Sequence, residues 1–289
     1  MLNSLIKLAR PHQYAKNLFI FLPAFFSFKI TDYQIFSSAF LAFISFSLTA
    51  SSIYILNDWV DRKDDAKHPE KCNRPIASGK VSPKIALIYA IILLFWGLFT
   101  AYQVSLNVTF LIITYVLLNI AYSFKLKHIS IVDITIISTG FVIRLFVGAL
   151  ATNVILSHWI IIMTFMLALF LSLAKRRDDL IIYLETDNKM RKVIDGYSLK
   201  FLDFAMIMNA SIVIVAYILW SISPEVVAKL HTNNLYLSAI FVFLGILRYM
   251  QISFVEEKSG NPSKILFTDS FIRVTILFWI SICIYFLYW

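Results

Sequence analysis

Long apolar runs alternate with short polar breaks along the whole chain. A bilayer core about 30 Å thick is crossed by a helix of roughly 20 apolar residues, within a range of about 17–25. Such runs fall at approximately 17–31, 34–56, 83–104, 108–123, 131–152, 157–174, 200–222, 234–252 and 270–289, and they predict about nine transmembrane helices. Lys7, Arg10 and Lys16 precede the first run as they would in a secretory leader. No small-residue cleavage site follows before Lys29 and Asp32, so the run reads as a retained span, tilted or kinked at Pro23. No polar interval is long enough for a second domain. Residues 1–289 therefore read as a single integral membrane domain, an all-α, polytopic bundle.

Composition sharpens this picture. Hydrophobic residues make up 60% of the 289 and charged residues 15%, with a mean hydropathy of +0.78. Soluble chains have about 45–50% and 25%, so a soluble enzyme is excluded. Lys and Arg number 26 against 17 Asp and Glu, a net charge of +9. With a cytosolic amino terminus, the segments 28–34, 104–108, 152–158 and 222–234 lie outside, and their only Lys or Arg residues are Lys29 and Lys229. That is a strong positive-inside bias and predicts an orientation in the cytoplasmic (inner or plasma) membrane. The acids divide the same way, with only Asp32 and Glu225 outside, which the positive-inside rule does not require. An active site opening to the cytosol would concentrate polar groups in this manner.

Several chemistries find no support. Cys72 falls in a loop and Cys283 near the middle of the last run, so a structural disulfide is not expected. His12, His68, His128, His158 and His231 lack zinc spacing, and there is no dinucleotide or Walker glycine pattern. The basic residues are dispersed over several loops, so no nucleic acid is implied.

The most polar stretch follows the second run. Directly after Asn57, the carboxylates Asp58, Asp61 and Asp65 stand on one stripe if that helix continues beyond the membrane face, while Asp64 lies off it. Converging carboxylates repel one another, and Mg²⁺ would reconcile them while keeping coordination positions for water and substrate phosphates. A solvated loop whose acids pair with Arg62, Lys63 and Lys67 would show the same residues. The continuation weighs against that alternative. His68, Pro69, Lys71, Arg74, Pro75 and Gly79 in HPEKCNRPIASG predict a non-helical turn that brings Lys71 and Arg74 beside the acids. Acids suited to a metal beside cations suited to phosphate make a diphosphate site.

These residues resemble the first Asp-rich motif of the UbiA superfamily of intramembrane prenyltransferases. More narrowly, they resemble its decaprenyl-phosphate phosphoribosyltransferase branch. The resemblance covers nearly the whole chain: Arg10-Pro11-x-Gln13-x-x-Lys16-Asn17, Asn119-x-x-Tyr122-Ser123-x-x-Leu126-Lys127, Asp133, Gly140-Phe141-x-x-Arg144-x-x-x-Gly148, Lys175-Arg176-Arg177-x-Asp179-Leu180 and Asp269. It implies a UbiA-like bundle with a cytosol-facing site and a Mg²⁺-dependent glycosyltransferase moving 5-phosphoribose from phosphoribosyl diphosphate (PRPP) to a polyprenyl phosphate. Prenyl-diphosphate users of the superfamily resemble one another in a second D-x-x-x-D motif after the sixth span. Here that region has Lys175, Arg176, Arg177, Asp178 and Asp179, with Glu185 and Asp187 further on, and no such spacing. The alternative, transfer of a prenyl group to an aromatic or quinone-precursor acceptor, is weakened accordingly.

Under this resemblance Asp58, Asp61 and Asp65 are the metal-binding and catalytic acids. Lys16, Asn17, Asn57, Lys71, Arg74, Tyr122, Lys127, Arg144, Lys175, Arg177 and Asp179 contact substrate, with Lys175 and Arg177 expected at the acceptor phosphate. Arg144 lies 13 residues into the fifth run, roughly 20 Å along a helix, where a lipid-facing guanidinium would be costly. It reads as a ligand for phosphate or a ribose hydroxyl, or else as the partner of an acid such as Asp133 or Asp203. Asp269 and Arg273, four apart, could pair with each other, and Arg248 could snorkel. The partners implied are PRPP, a polyprenyl phosphate and membrane lipids, and a homo-oligomer is compatible with them.

The orientation has a direct test. A membrane-impermeant thiol reagent applied to sealed cells should leave Cys72 unmodified and label it after permeabilisation; labelling from outside would reverse the map.

Overall fold

The computed structural model describes residues 2–27, 29–66, 71–186, 192–230 and 232–288, and every regular element among them is helical. His68 and Pro69 of the turn motif, with Lys67 and Asp187, lie outside the described residues. The chain, read from its sequence as one domain, packs as two compact units. The first comprises residues 1–127 and 140–155, the second 128–139 and 156–289.

In the first unit, α1 (Leu2–Ala9) leads into a tightly wound 3₁₀ segment, Pro11–Phe21, and a short α2 (Leu22–Phe26). Then come α3 (Tyr33–Asp65), α4 (Pro83–Val104), α5 (Leu106–Phe124) and the later part of α6 (Val132–Thr152). Polar caps place the helix starts. Asp32 accepts from the amides of Gln34 and Ile35 at the head of α3. Ser82 caps α4 ahead of Pro83, and Ser105 caps α5 through the amide of Val108. Along α4, Ile88, Ile91, Phe95 and Phe99 form an exposed stripe of helical period, the face a spanning helix turns to lipid.

The second unit holds the start of α6, then α7 (His158–Thr186), α8 (Leu199–Ser221), α9 (Pro224–Leu230), α10 (Ala239–Phe254), α11 (Pro262–Thr268) and α12 (Ser270–Tyr288). Its core gathers Phe170, Leu173, Leu202, Met206, Tyr249 and Ile272. Ser198 caps α8, Asn261 caps α11, and Asp269 caps α12 through the amide of Ile272.

Among the described residues seven helices are long and apolar enough to cross a membrane: Tyr33–Asp65, Pro83–Val104, Leu106–Phe124, Val132–Thr152, His158–Thr186, Leu199–Ser221 and Asn234–Phe254. The apolar stretch Ser270–Phe286 is a shorter eighth. Eight of the nine expected runs are thus helical at their expected places. The first run, 17–31, is not one span-length α-helix, and 3₁₀ winding explains what the sequence spacing does there. Residues three apart eclipse in a 3₁₀ helix, so Tyr14, Asn17 and Ile20 share one edge. Tyr14 hydrogen-bonds Ser51 at 2.9 Å, Asn17 donates to Ser47 at 2.8 Å, and Ile20 is fully buried. Small hydroxyl residues on α3 permit this approach.

The other departure lies at helix ends. α3 continues nine residues past the expected 56, which is the condition the acid stripe set, and α7 twelve past 174, so Lys175–Asp179 are helical rather than loop residues. Glycine permits one further close approach: a Cβ on Gly148 of α6 would lie 2.0 Å from the carbonyl oxygen of Ile20. Gly148→Ala should therefore destabilise the protein by about 1–3 kcal/mol, the cost of overpacking. Gly245→Ala, whose Cβ would meet nothing nearer than Thr275 at 3.8 Å, should hold or slightly raise the unfolding midpoint. Detergent unfolding of the two variants side by side checks this.

Candidate active site

The continued α3 carries its acids into protein. Asp58 and Asp65 are 2% and 4% exposed, Asp61 is partly buried, and Asp64 faces solvent, as the stripe requires. Buried carboxylates persist only with partners, and here cations from three other segments supply them. One guanidinium nitrogen of Arg74 sits 2.9 Å from Asp58 and 2.7 Å from Asp65. Arg10 donates to the same oxygen of Asp58, and Lys127 to Asp61. Asn57 donates to Asp61 at 3.2 Å.

Each cation has a structural reason to be there. The segment after α3, expected to be non-helical, has a 3₁₀ turn at Lys71–Asn73 and then turns through Gly79 at φ 73°, with Ile76 and Val81 buried against Leu8, Ile55 and Ala86. Those two anchors present Arg74 to the acids, and Lys71 lies near enough to Asp65 to act on its charge. Arg10 itself adopts left-handed backbone angles, φ 54° and ψ 57°, between α1 and the 3₁₀ segment. That conformation costs a non-glycine residue about 1–2 kcal/mol, and strain of this kind concentrates at functional sites. Lys127 follows the end of α5, where Tyr122 is partly and Ser123 fully buried.

Of the cations in the solvated-loop alternative, Arg62 donates to the carbonyl of Trp59 and stacks on its ring rather than meeting the acids, and Lys67 lies outside the described residues. The three-carboxylate Mg²⁺ cage expected from the stripe is not pre-formed either. Among the described residues no three His, Cys, Asp or Glu side chains are gathered for a metal, because Arg74 stands between Asp58 and Asp65. The donors still suit Mg²⁺. They are all oxygens, and the buried Oδ1 of Asn57, beside Asp61, has no hydrogen-bond partner among the described residues. Mg²⁺ is commonly held by one or two carboxylates together with substrate phosphates, and this set fits a metal arriving with a diphosphate.

Deeper along α3 lies a second group. Arg144 is 4% exposed, donates to Asn17 Oδ1 at 2.8 Å and to the Gly140 carbonyl at 2.7 Å, and stacks against Phe46, Tyr115 and Phe141. It pairs with neither Asp133 nor Asp203, and among the described residues neither Arg144 nor Lys16 has a carboxylate partner. Burial, with Arg144 and then Arg10 alongside, pushes the Lys16 ammonium from 10.5 down to about 8.

The remaining site residues of the sequence reading, Lys175, Arg177 and Asp179, belong to the second unit. Arg177 donates to Asp203 at 2.7 Å and to the Ser253 carbonyl at 2.6 Å, and stacks on Phe254. Asp179 accepts from the buried Arg176, which also holds Asp133 at 2.6 Å, and Tyr197 donates to the second oxygen of Asp133. Both Arg177 and Asp179, expected to contact substrate, are engaged in these ties within the second unit. Lys175 is partly buried on α7 beside Asp178. Asp269 pairs with Arg248 at 2.8 Å rather than with Arg273, and that hydrogen bond holds its carboxyl below the usual range. Sequence reasoning gave Arg10 and Tyr115 no role. The Arg-Pro step at 10–11 was the available signal for the first; nothing local marks the second.

The lowered Lys16 has a thermodynamic consequence. Between about pH 8 and 10.5 the unfolded chain keeps a proton that the folded chain has lost, so folding gains from rising pH in that window. Lys16→Met should unfold later than wild type at pH 7 and lose that advantage towards pH 10, as read by melting in detergent.

Comparison with known proteins accords with this geometry. Residues 19–286 match the UbiA prenyltransferase family. The chain is 32% identical to the decaprenyl-phosphate phosphoribosyltransferase of Mycolicibacterium smegmatis, over 97% of this chain and 91% of that protein. It is 28% identical to the protein of the same name from Corynebacterium glutamicum, over 96% and 85%. A UbiA homolog from Archaeoglobus fulgidus, solved bound to GPP and Mg²⁺, superposes with a TM-score of 0.73 at 18% identity, covering 98% of this chain and 99% of that one. With its apolar spans, its fold and a family match over nearly its full length, the chain is an integral membrane member of the UbiA prenyltransferase family of transferases.

Proposed function

We propose that the protein transfers 5-phosphoribose from PRPP to a polyprenyl phosphate, releasing diphosphate, on the cytosolic side of the membrane. The observation that carries this reading is the acid stripe of Asp58, Asp61 and Asp65 interleaved with Arg10, Arg74 and Lys127. The names of the relatives support the choice of substrates.

In this reading the entering diphosphate takes over the carboxylates' cations. Arg74, Arg10 and Lys127 turn to phosphate oxygens, and Asp58, Asp61 and Asp65, with the free Oδ1 of Asn57, are released as oxygen donors for Mg²⁺. Bound there, Mg²⁺ supplies charge neutralisation to the leaving diphosphate. The C1–O bond to the diphosphate breaks, its electron pair leaves with the diphosphate, and an anionic oxygen of the lipid phosphate forms the new bond to C1. The nucleophile is already ionised, so no strong general base is needed. The rate enhancement comes from positioning and from Lys and Arg donors aimed at the leaving group.

Protein in detergent with Mg²⁺ and ribose-labelled PRPP should carry label into the lipid phase only when polyprenyl phosphate is present. EDTA should stop transfer reversibly, and Asp58→Asn or Asp61→Asn should each remove most of it, with Asp64→Asn far milder. Turnover of a prenyl diphosphate with an aromatic acceptor, and none of PRPP, would replace this reading with prenyl transfer.

A further inference from the structure

We infer that Lys16 and Arg144, oriented by Asn17, form a second anion pocket for a phosphate monoester, the 5-phosphate of the donor, and that this pocket selects a phosphoribosyl over a prenyl diphosphate. The inference rests on the reading above and asks what lies beyond the diphosphate.

Three features of the first unit carry it. The first is an imbalance of charge. Arg10, Arg74 and Lys127 each face a carboxylate, whereas Lys16 and Arg144 face none among the described residues. Lys16 nevertheless lies close enough to both Arg144 and Arg10 for each to act on its charge. A like-charged group inside a spanning bundle is expensive, and it is sustained where an anion visits. The second is pre-organisation. Nε of Arg144 is committed to Asn17 at 2.8 Å and one terminal nitrogen to the Gly140 carbonyl at 2.7 Å, while aromatic rings pack around the guanidinium. Among the described residues the other terminal nitrogen has only the Tyr115 hydroxyl, at 3.5 Å. A rigid guanidinium with a donor to spare is suited to a phosphate oxygen.

The third feature is position. Asn17 is held by Ser47, eleven residues from Asp58 on the same helix, which is about 16 Å at 1.5 Å per residue. Lys16 bridges that interval electrostatically, between Arg10 at the acids and Arg144 at depth. A prenyl diphosphate would extend an apolar tail from the acids towards these charges. PRPP has a ribose and a second phosphate to offer there.

The test is equilibrium binding in detergent, without turnover, of four probes: diphosphate with Mg²⁺, ribose 5-phosphate, farnesyl phosphate, and PRPP with Mg²⁺. Lys16→Met should weaken ribose 5-phosphate and PRPP about tenfold or more, as expected for loss of one charge-assisted contact, and leave diphosphate within about twofold. Lys16→Arg should restore both. Farnesyl phosphate weakened in place of ribose 5-phosphate would assign the pocket to the lipid acceptor and overturn the donor assignment. Unchanged affinity for all four probes would overturn the pocket itself. A wild-type protein that binds diphosphate with Mg²⁺ and farnesyl phosphate but not PRPP with Mg²⁺ would instead overturn the function on which the inference rests.

Discussion

Carboxylates on a helix at the edge of a membrane repel one another and lose hydration, and they are retained only where cations converge on them. This constraint organises the first unit. Asp58 and Asp65 are buried on the last turns of α3, and the segments around them are shaped to bring guanidinium and ammonium groups within reach. The left-handed residue at Arg10, the turn anchored by Ile76 and Val81, and the placement of Lys127 after α5 answer the same electrostatic demand. An ion cluster balanced in this way is a natural receptor for a magnesium diphosphate, since the ligand brings both signs of charge and each can exchange with its like.

The same unit shows how a short irregular segment does what a full span could not. An α-helix through residues 11–21 would spread Tyr14, Asn17 and Ile20 around its surface. The 3₁₀ winding lines them up on α3 and Gly148, and leaves Lys16 between Arg10 and Arg144. Polar chemistry thereby extends from the acids into the bundle. In the second unit, by contrast, Arg176 and Arg177 are balanced by Asp133, Asp179 and Asp203, and their charges hold helices together.

What the sequence reveals follows the range of the interactions concerned. Hydrophobic runs are local, and eight of the nine runs read from them are helices at their expected places. The end of α7 was not legible, because it runs on through charged residues that pay for themselves only through partners elsewhere in the chain. The acid stripe and the placing of Arg74 beside it were legible, since both depend on spacing within one segment. The pairs Arg10–Asp58 and Arg176–Asp133 join residues 48 and 43 positions apart, and composition carries no trace of them. The tie of Arg177 to Asp203 on α8 is hidden for the same reason, whereas Asp179 meets Arg176 one turn away on α7.

The central claim is that the acids of α3 pass from their cations to a metal when a diphosphate arrives. Pulsed electron paramagnetic resonance with Mn²⁺ in place of Mg²⁺ tests it most directly. The account predicts weak Mn²⁺ binding to the protein alone, tight binding with ³¹P coupling once PRPP is added, and loss of both in Asp58→Asn. Mn²⁺ held equally well without PRPP, or ³¹P coupling that survives removal of the Asp58 and Asp61 carboxylates together, would contradict it.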